Sequence, residues 1–369
     1  MNKKITINRQ LLLSNLKYGI TILQEKAIMP VYSSFLFEKK DGRIKLTCSS
    51  TEMEIITDFE HKEGDDMSIL IEGNIFFSTL SALRDDDITI AINEKFQMLL
   101  NAGKKKYVIP THDPNQFPHM TVSKDIKGIH LSADTVRKYL PKAAAATRKQ
   151  DIAEAFRCVE IKVENNNLTI LGLHSSFMYR SLSPFEAENI TAYIIGGLSD
   201  VIKEMDTKET MFIGTDGRNT VFKCGNITIN ALTLATKYVN ANPLFATKRK
   251  PCFIINKTVM LDSLKRLRLF SGVANDIFIT CEENSIVMRS EYLEAAKRGV
   301  ETIDCQIVEK FNEIRVAQKL LLLTLNNIDS EEVVVEMGEN AKVPIMIYGN
   351  GEVGVQERFL IALMVSSQE

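Results

Sequence analysis

"ITINRQLLLSNL" occupies residues 5–16, and "IHLSADTVRKYL" at 129–140 and "FIINKTVMLDSL" at 253–264 repeat its pattern. Each is a short apolar run, then a residue suited to capping a helix (Asn8, Ser132, Asn256), then a helix-period stretch closing on Leu16, Leu140 or Leu264. The restarts fall 124 residues apart in a chain of 369. That period is longer than the roughly 20–50 residues of a solenoid unit, so it describes whole domains written three times.

The echo continues downstream of each helix. Strand–turn–strand patterns follow at "FLFEKKDGRIKLTC" from Phe35, "VEIKVENNNLTIL" from Val159 and "IFITCEENSIVM" from Ile277. Asp41-Gly42 and Asn165-Asn166 supply residues that tolerate positive φ, as tight hairpins require. A second helix is expected at 73–85, 196–206 and 317–327, each ahead of β-rich sequence such as "ITIAI", "MFIGTDGRNTVFKC" and "EVVVEM". The expected class is α+β, with two helices and about eight short strands per third. Polar joints near 121–128 and 246–251 divide the chain into domains 1–125, 126–249 and 250–369.

Composition matches a soluble globular protein: 45% hydrophobic, 25% charged, net charge −2. No apolar run reaches the ~18 residues of a membrane span, and "MNKKITI" lacks the apolar stretch of a signal peptide. The six cysteines form no CxxC pair, so free and mostly buried thiols in a reducing cytoplasm are expected.

Charge is unevenly placed. The three opening helix regions, 8–20, 132–149 and 256–270, carry +2, +4 and +3 in a chain whose total is −2. A cationic face on an otherwise acidic body suits a phosphate backbone approached from one side, although solvated helix faces give the same count. Pro141 falls inside the second region. A mid-helix proline costs ~3 kcal/mol, so that helix is expected to end near Tyr139, leaving 142–151 as a basic arm or a second short helix.

Catalytic signatures are missing. There is no GxxxxGK[ST], no GxGxxG between strand and helix, no HExxH and no GxSxG. The five histidines have no Cys or carboxylate at ligand spacing, "RDDD" at 84–87 reads as a solvated turn, and "GTDGRN" at 214–219 reads as a hairpin turn. No catalytic residue, metal site or cofactor is expected.

Two stretches carry a family resemblance: "AIMPVYSSFLFEKKDGRIKLTCSSTEMEI" at 27–55 and "GKKKYVIPTHDPNQFP" at 103–118, the latter with Pro110, Thr111, Phe117 and Pro118 in place. The chain resembles the bacterial sliding clamp, the beta subunit of DNA polymerase III, along essentially its whole length. The resemblance implies three domains of the DNA-clamp type, each with two helices and two small antiparallel sheets. It implies a head-to-tail homodimer closed into a six-domain ring that encircles duplex DNA without reading its sequence. Such a clamp is a non-catalytic processivity factor, any polymerase label belonging to the assembly, and it works in the bacterial cytoplasm at the nucleoid. It tethers polymerase, clamp loader and repair proteins through a linear peptide motif, with no membrane partner.

By position in the family's pattern, Lys26, Arg137, Lys142, Arg148, Lys149, Lys265 and Arg268 are implied to face DNA. Lys104, Lys106 and Tyr107 match one side of the subunit joint, and Leu269 and Phe270 the apolar pair opposite. The family's glutamate-rich run is here "EYLEAAKRGVE" (291–301), with Lys297 and Arg298 among the acids. The partner-peptide cleft maps to Leu173, Phe177, Met178, Val239, Leu244, Leu363 and Met364, several of which depart from the family's residues. Three other readings stay open: an accessory clamp-like protein of a plasmid, phage or mobile element; an enzyme on a repeated α+β scaffold; and a monomeric peptide-binding scaffold.

Overall fold

A computed structural model describes residues 3–24, 29–148, 150–205 and 208–364. Among them are seven α-helices: α1 (Arg9–Ile20), α2 (Gly73–Ala82), α3 (Ala133–Ala145), α4 (Leu198–Lys203), α5 (Asn242–Ala246), α6 (Lys257–Leu267) and α7 (Gln318–Asn326). With three antiparallel sheets of 12, 9 and 4 strands they make an α+β fold.

The repeated capping residues act as their chemistry dictates. Asn8 accepts from Leu11 N at 3.1 Å, Ser132 from Thr135 N at 3.1 Å and Asn256 from Val259 N at 3.1 Å, each satisfying a free amide of the first turn. The hairpin turns agree as well: Asp41, Gly42, Asn165 and Asn166 all have φ between 50° and 76°. The second helices stand where the pattern put them, as α2, α4 and α7.

Backbone contacts divide the chain into two compact units, the first formed by Met1–Lys138 with Gly197–Thr233. Its 12-stranded sheet begins with Lys4–Asn8, Asp87–Ile92, Gln97–Ala102, Lys105–His112, Met67–Glu72 and Ser34–Lys40. It continues through Arg43–Ser49, Met53–Glu60, Ile227–Leu232, Asn219–Cys224 and Met211–Thr215 to Lys127–Leu131. Alternation places Ile5 and Ile7, then Met98 and Leu100, in the core. Leu12 and Leu16 of α1 complete it, and Gly19 lets the helix approach so closely that a Cβ there would meet the Phe35 ring at 2.4 Å.

The second unit holds Tyr139–Gly196 and Leu234–Glu369. Its nine-stranded sheet runs Ile190–Ile195, Cys158–Glu164, Asn167–His174, Phe177–Pro184, Gln356–Ile361, Ile345–Gly349, Glu332–Met337, Lys250–Asn256 and Gln306–Ile307. The four-stranded sheet runs Lys297–Asp304, Ser285–Tyr292, Asp276–Cys281 and Ile314–Ala317.

Pro141 does not end α3, contrary to expectation; the helix runs on to Ala145. Leu140 and Ala143 in its last turns and Ala146 just beyond are buried, and Ala143 lies against Gly172 so tightly that a Cβ at 172 would sit 1.8 Å from the Ala143 carbonyl oxygen. That packing outweighs the lost backbone hydrogen bond. All six cysteines are free, four of them buried.

Candidate functional site

Part of the cation surplus of α1, α3 and α6 serves the fold rather than a surface. Arg9, 8% exposed, donates Nε to Asp85 O at 2.9 Å and Nη1 to Leu80 O at 3.3 Å, at the C-terminal end of α2. Lys257, 248 residues later, donates Nζ to Ile328 O at 2.7 Å, just beyond the end of α7. The equivalent middle position is Ala133, and there Arg137 Nη1 reaches Met205 O at 3.1 Å, beyond the end of α4. Lys17 also donates to Glu204 O at 3.0 Å in that turn. A cation satisfies the carbonyls that a helix leaves without partners and complements the negative end of its dipole.

The residues expected to face DNA separate accordingly. Lys26 and Lys149 lie outside the described residues. Arg137 divides its guanidinium between Met205 O and Asp134 Oδ1, 3.2 Å away. Lys142 is 8% exposed, with Nζ 2.9 Å from Glu357 Oε1 and 3.2 Å from Asp329 Oδ2. Those two carboxylates bind the ammonium inside the second unit. Arg148 is exposed and touches Asp151 at 3.5 Å, Lys265 is exposed and pairs with Asp262 at 3.0 Å, and Arg268 is exposed at the end of α6.

The residues expected at the subunit joint lie on or beside open strand edges. Strand Lys105–His112 pairs with Gln97–Ala102 over 105–110, but Met67–Glu72 meets its other side only at Thr111 and His112. Lys104, Lys106 and Tyr107 are exposed along this free stretch, beside Val108 at 59%. In the second unit, strand Lys297–Asp304 is the edge of the four-stranded sheet. Leu269 there is 74% exposed, and the Phe270 ring covers Gly299, whose missing Cβ would stand 2.9 Å from Cδ2. Glu301 is held by Arg266 through two hydrogen bonds of 2.9 and 2.6 Å, which with its neighbours keep its carboxyl below the usual range. Lys297 and Arg298 stand exposed beside it.

Of the cleft residues, the second unit gathers Leu173, Met178 and Leu244 into one apolar cluster with Tyr238, Phe245, Met346 and Leu360. The segment carrying Tyr238 and α5 lies on the face of the nine-stranded sheet that Met178 and Leu360 share by register. Tyr238 OH fastens it, donating toward Cys158 O at 3.1 Å and Leu171 O at 3.2 Å. Arg249 fastens the far end on the carbonyls of Pro344, Thr247 and Leu244, at 2.8, 2.9 and 2.9 Å. Phe177 stands apart from this cluster. Strand alternation turns it to the opposite face, where it is fully buried against Phe359. Val239 is exposed outside the cluster, and Leu363 and Met364 lie along strand Ile314–Ala317, with Leu363 bridging Val316 and Met364 N donating to Arg315 O at 2.8 Å. Tyr238, Phe245, Met346 and Leu360 were not foreseen; only the alternation of their strands and the aromatics of 238–245 could have signalled them.

His174, beside this cluster, accepts a hydrogen bond at Nδ1 from Ser176 N at 3.2 Å. Burial and then the Arg148 charge hold its pKa below that of a free imidazole. Among the described residues no three His, Cys, Asp or Glu side chains are grouped to hold a metal ion, and no helix is long and apolar enough to cross a membrane.

Residues 3–121 match the model of the DNA polymerase III beta subunit, N-terminal domain. Beta sliding clamps of Staphylococcus aureus are 23% identical over 373 residues, covering 97% of this chain and 98% of theirs. That of Staphylococcus epidermidis is 23% identical over 348 residues, covering 90% and 92%. In fold, the DNA polymerase III beta chain of Streptococcus pneumoniae superposes with a TM-score of 0.92 at 19% identity, covering 99% of this chain and 100% of that one. The beta subunit of Thermotoga maritima gives 0.91 at 15% identity with the same coverage. Residues 3–121 thus match the N-terminal domain of the DNA polymerase III beta subunit, and over its full length the chain is similar in sequence and in fold to bacterial beta sliding clamps.

Proposed function

We propose that the chain is a DNA sliding clamp: a non-catalytic processivity factor that encircles duplex DNA and tethers a replicative polymerase. The observation that carries this is the likeness in fold to beta sliding clamps over 99% of the chain. In this reading the subunit has domains 1–125, 126–249 and 250–369, and two subunits join head to tail into a six-domain ring. The free edge at Lys105–Val108 of one subunit and the Lys297–Asp304 edge of the other, with Leu269 and Phe270, form each joint. The free N–H and C=O groups of an unpaired strand edge are a template for β-pairing with another chain, and Val108 and Leu269 add apolar cover.

Retention by topology asks only for phosphate attraction that tolerates sliding, which dispersed exposed cations such as Arg148, Lys265 and Arg268 provide. Polymerase, clamp loader and repair proteins would dock by a linear peptide in the groove of Met178 and Leu244, raising their effective concentration at DNA. The protein would work in the cytoplasm at the nucleoid. The test is molar mass by light scattering at low-micromolar concentration, followed by retention on nicked circular against linear DNA. Twice 41.6 kDa on dilution and retention on the circle alone support the clamp; a persistent monomer overturns it.

A second reading, an accessory clamp serving different partners, is favoured by the altered groove: Phe177 turned into the core, and Leu363 and Met364 along strand Ile314–Ala317. The length of primer extension by the host's replicative polymerase with this clamp loaded separates the two.

A further inference from the structure

The threefold repeat makes the same sheet junction twice within the chain and leaves it unmade a third time. Ile5, Ile129 and Phe253, each 124 residues from the next, begin rows of cross-strand partners that end on Tyr107, Ile229 and Phe359. From Ile229 the row passes on to Ile55, and from Phe359 to Tyr179, where neighbouring thirds of the chain share a sheet. All four of those side chains are at most 1% exposed.

Ile55 and Tyr179 end rows that start two strands earlier at Phe35 and Val159, again 124 residues apart. The matching row of the last third is Ile277, Ser290 and Gly299. Phe35 and Ile277 correspond because each pairs with a residue two before a helix, Ile71 ahead of α2 and Val316 ahead of α7. Gly299 lies on a sheet edge, and Tyr107 lies on the free stretch of Lys105–His112. Neither has a strand partner on its far side among the described residues. Tyr107 and Phe270 are each 37% exposed, whereas the two completed junctions are closed.

We propose that a second copy of the chain completes this junction in the repeat's own register, Tyr107 of one copy opposite Gly299 of the other, and that the register sets Lys106 beside Arg298 as a like-charged pair that leaves the joint easy to open. This rests on the clamp reading and adds the residue pairing and the electrostatic character of its joint. The glycine suits the role. A Cβ there would stand 2.9 Å from both Leu267 Cδ2 and Phe270 Cδ2, so the Phe270 ring fills the space that a side chain fills at Ile55 and Tyr179 and offers Tyr107 an apolar seat.

Antiparallel pairing then places Val108 opposite Arg298, Lys106 opposite Val300 and Lys105 opposite Glu301. Lys106 and Arg298 share the outward face as diagonal neighbours, within reach of long side chains. Both are exposed, and neither has an ion pair or side-chain hydrogen bond among the described residues. The acids around them are engaged. Glu291, cross-strand from Arg298, is held by Arg289, Glu301 by Arg266, and Glu294 takes the Tyr292 hydroxyl. Asp304, at the far end of its strand, falls beyond the paired stretch.

The test measures self-association of the full chain by sedimentation velocity on dilution, at low and at high salt. Arg298→Glu and Lys106→Glu should each tighten association about fivefold at low salt, and high salt should screen that gain away. The double variant, again like-charged, should return to the parent value. Register is read by oxidative cross-linking of mixed variants that each carry one added cysteine, the unaltered chain serving as control for its own thiols. Lys106→Cys should link to Val300→Cys, because opposed residues of antiparallel strands have Cα atoms ~4.5–5.5 Å apart, within disulfide reach. A preferred link to Arg298→Cys or Thr302→Cys, the mark of a slip by two residues, overturns the proposal. So does a dimer that forms no link, or a Lys106→Glu variant that associates no more tightly. The clamp reading stands in each of those cases while the mass remains twice 41.6 kDa. A chain that stays at 41.6 kDa and forms no link overturns both. If a charge variant does not fold, the cross-linking pattern decides alone.

Discussion

The Lys142 ammonium lies 2.9 Å from Glu357 Oε1, inside the second unit, and the Tyr179 hydroxyl donates to the same oxygen at 2.7 Å. A lysine that charge counting assigns to a DNA surface is instead the counter-ion of a nearly buried glutamate. Lys142→Ala strands that carboxylate, and the unfolding free energy is expected to fall by about 3 kcal/mol in a urea titration. Lys142→Met with Glu357→Gln, which removes both charges, should recover most of it. Equal losses in the single and double variants would deny the pairing.

The same geometry separates Lys142 from the exposed cations in DNA binding. Arg268→Ala should lower the slope of log affinity against log salt by about 0.9, the value of one released counter-ion. The charge-removed Lys142→Met, Glu357→Gln variant should leave the slope unchanged. The measurement is binding to a short duplex between low and physiological salt.

At the proposed joint, Leu269→Asp should bring an uncompensated carboxylate into the apolar contact and weaken association at least tenfold, an increment of about 1.4 kcal/mol. Light scattering on dilution should then return 41.6 kDa where the parent holds twice that mass. Unaltered association would place the joint elsewhere.

Helix-end cations should register in stability but not in assembly. Arg9→Ala leaves the Leu80 and Asp85 carbonyls without their donor in a buried setting and should cost about 2 kcal/mol. Lys257→Ala removes a single contact to Ile328 O and should cost about 1 kcal/mol. The check is a shift of the urea midpoint at constant molar mass.

Alkaline pH should loosen the second unit. Burial raises the Cys158 thiol from 9.0 to about 11, so the folded state keeps a proton that the unfolded chain gives up. Its contribution is complete below pH 9 and is lost as pH rises through 11, a change of about 3 kcal/mol. Cys158→Ala should flatten that part of the stability–pH curve, and an unchanged slope would assign the loss to other groups.

Local rules made much of this molecule legible from residues alone. Asn8, Ser132 and Asn256 announced three helix starts, Asp41-Gly42 and Asn165-Asn166 two hairpins, and the three-fold recurrence an α+β chain of repeated units. These succeed because caps and tight turns depend on residues three or four apart, whatever lies elsewhere. Pro141 misled for the complementary reason. Its local penalty is real, but Ala143 packed on Gly172 outweighs it, and no neighbouring residue reveals that contact.

Site chemistry divides the same way. The sequence by itself determined how many cations the opening helices carry and that 238–245 is apolar and aromatic. Tertiary structure alone decided that Arg9, Arg137 and Lys257 cap helix ends, that Glu357 takes Lys142, and that Phe177 and Met178 face opposite ways. It also decided that Arg180 stacks on Phe245 with its Nε buried and unpaired. The physical reason is that a side chain's charge and size are properties of the residue, whereas its partner is a matter of proximity. The partners that settled these roles lie tens to hundreds of positions away, as with the 215 residues that separate Lys142 from Glu357.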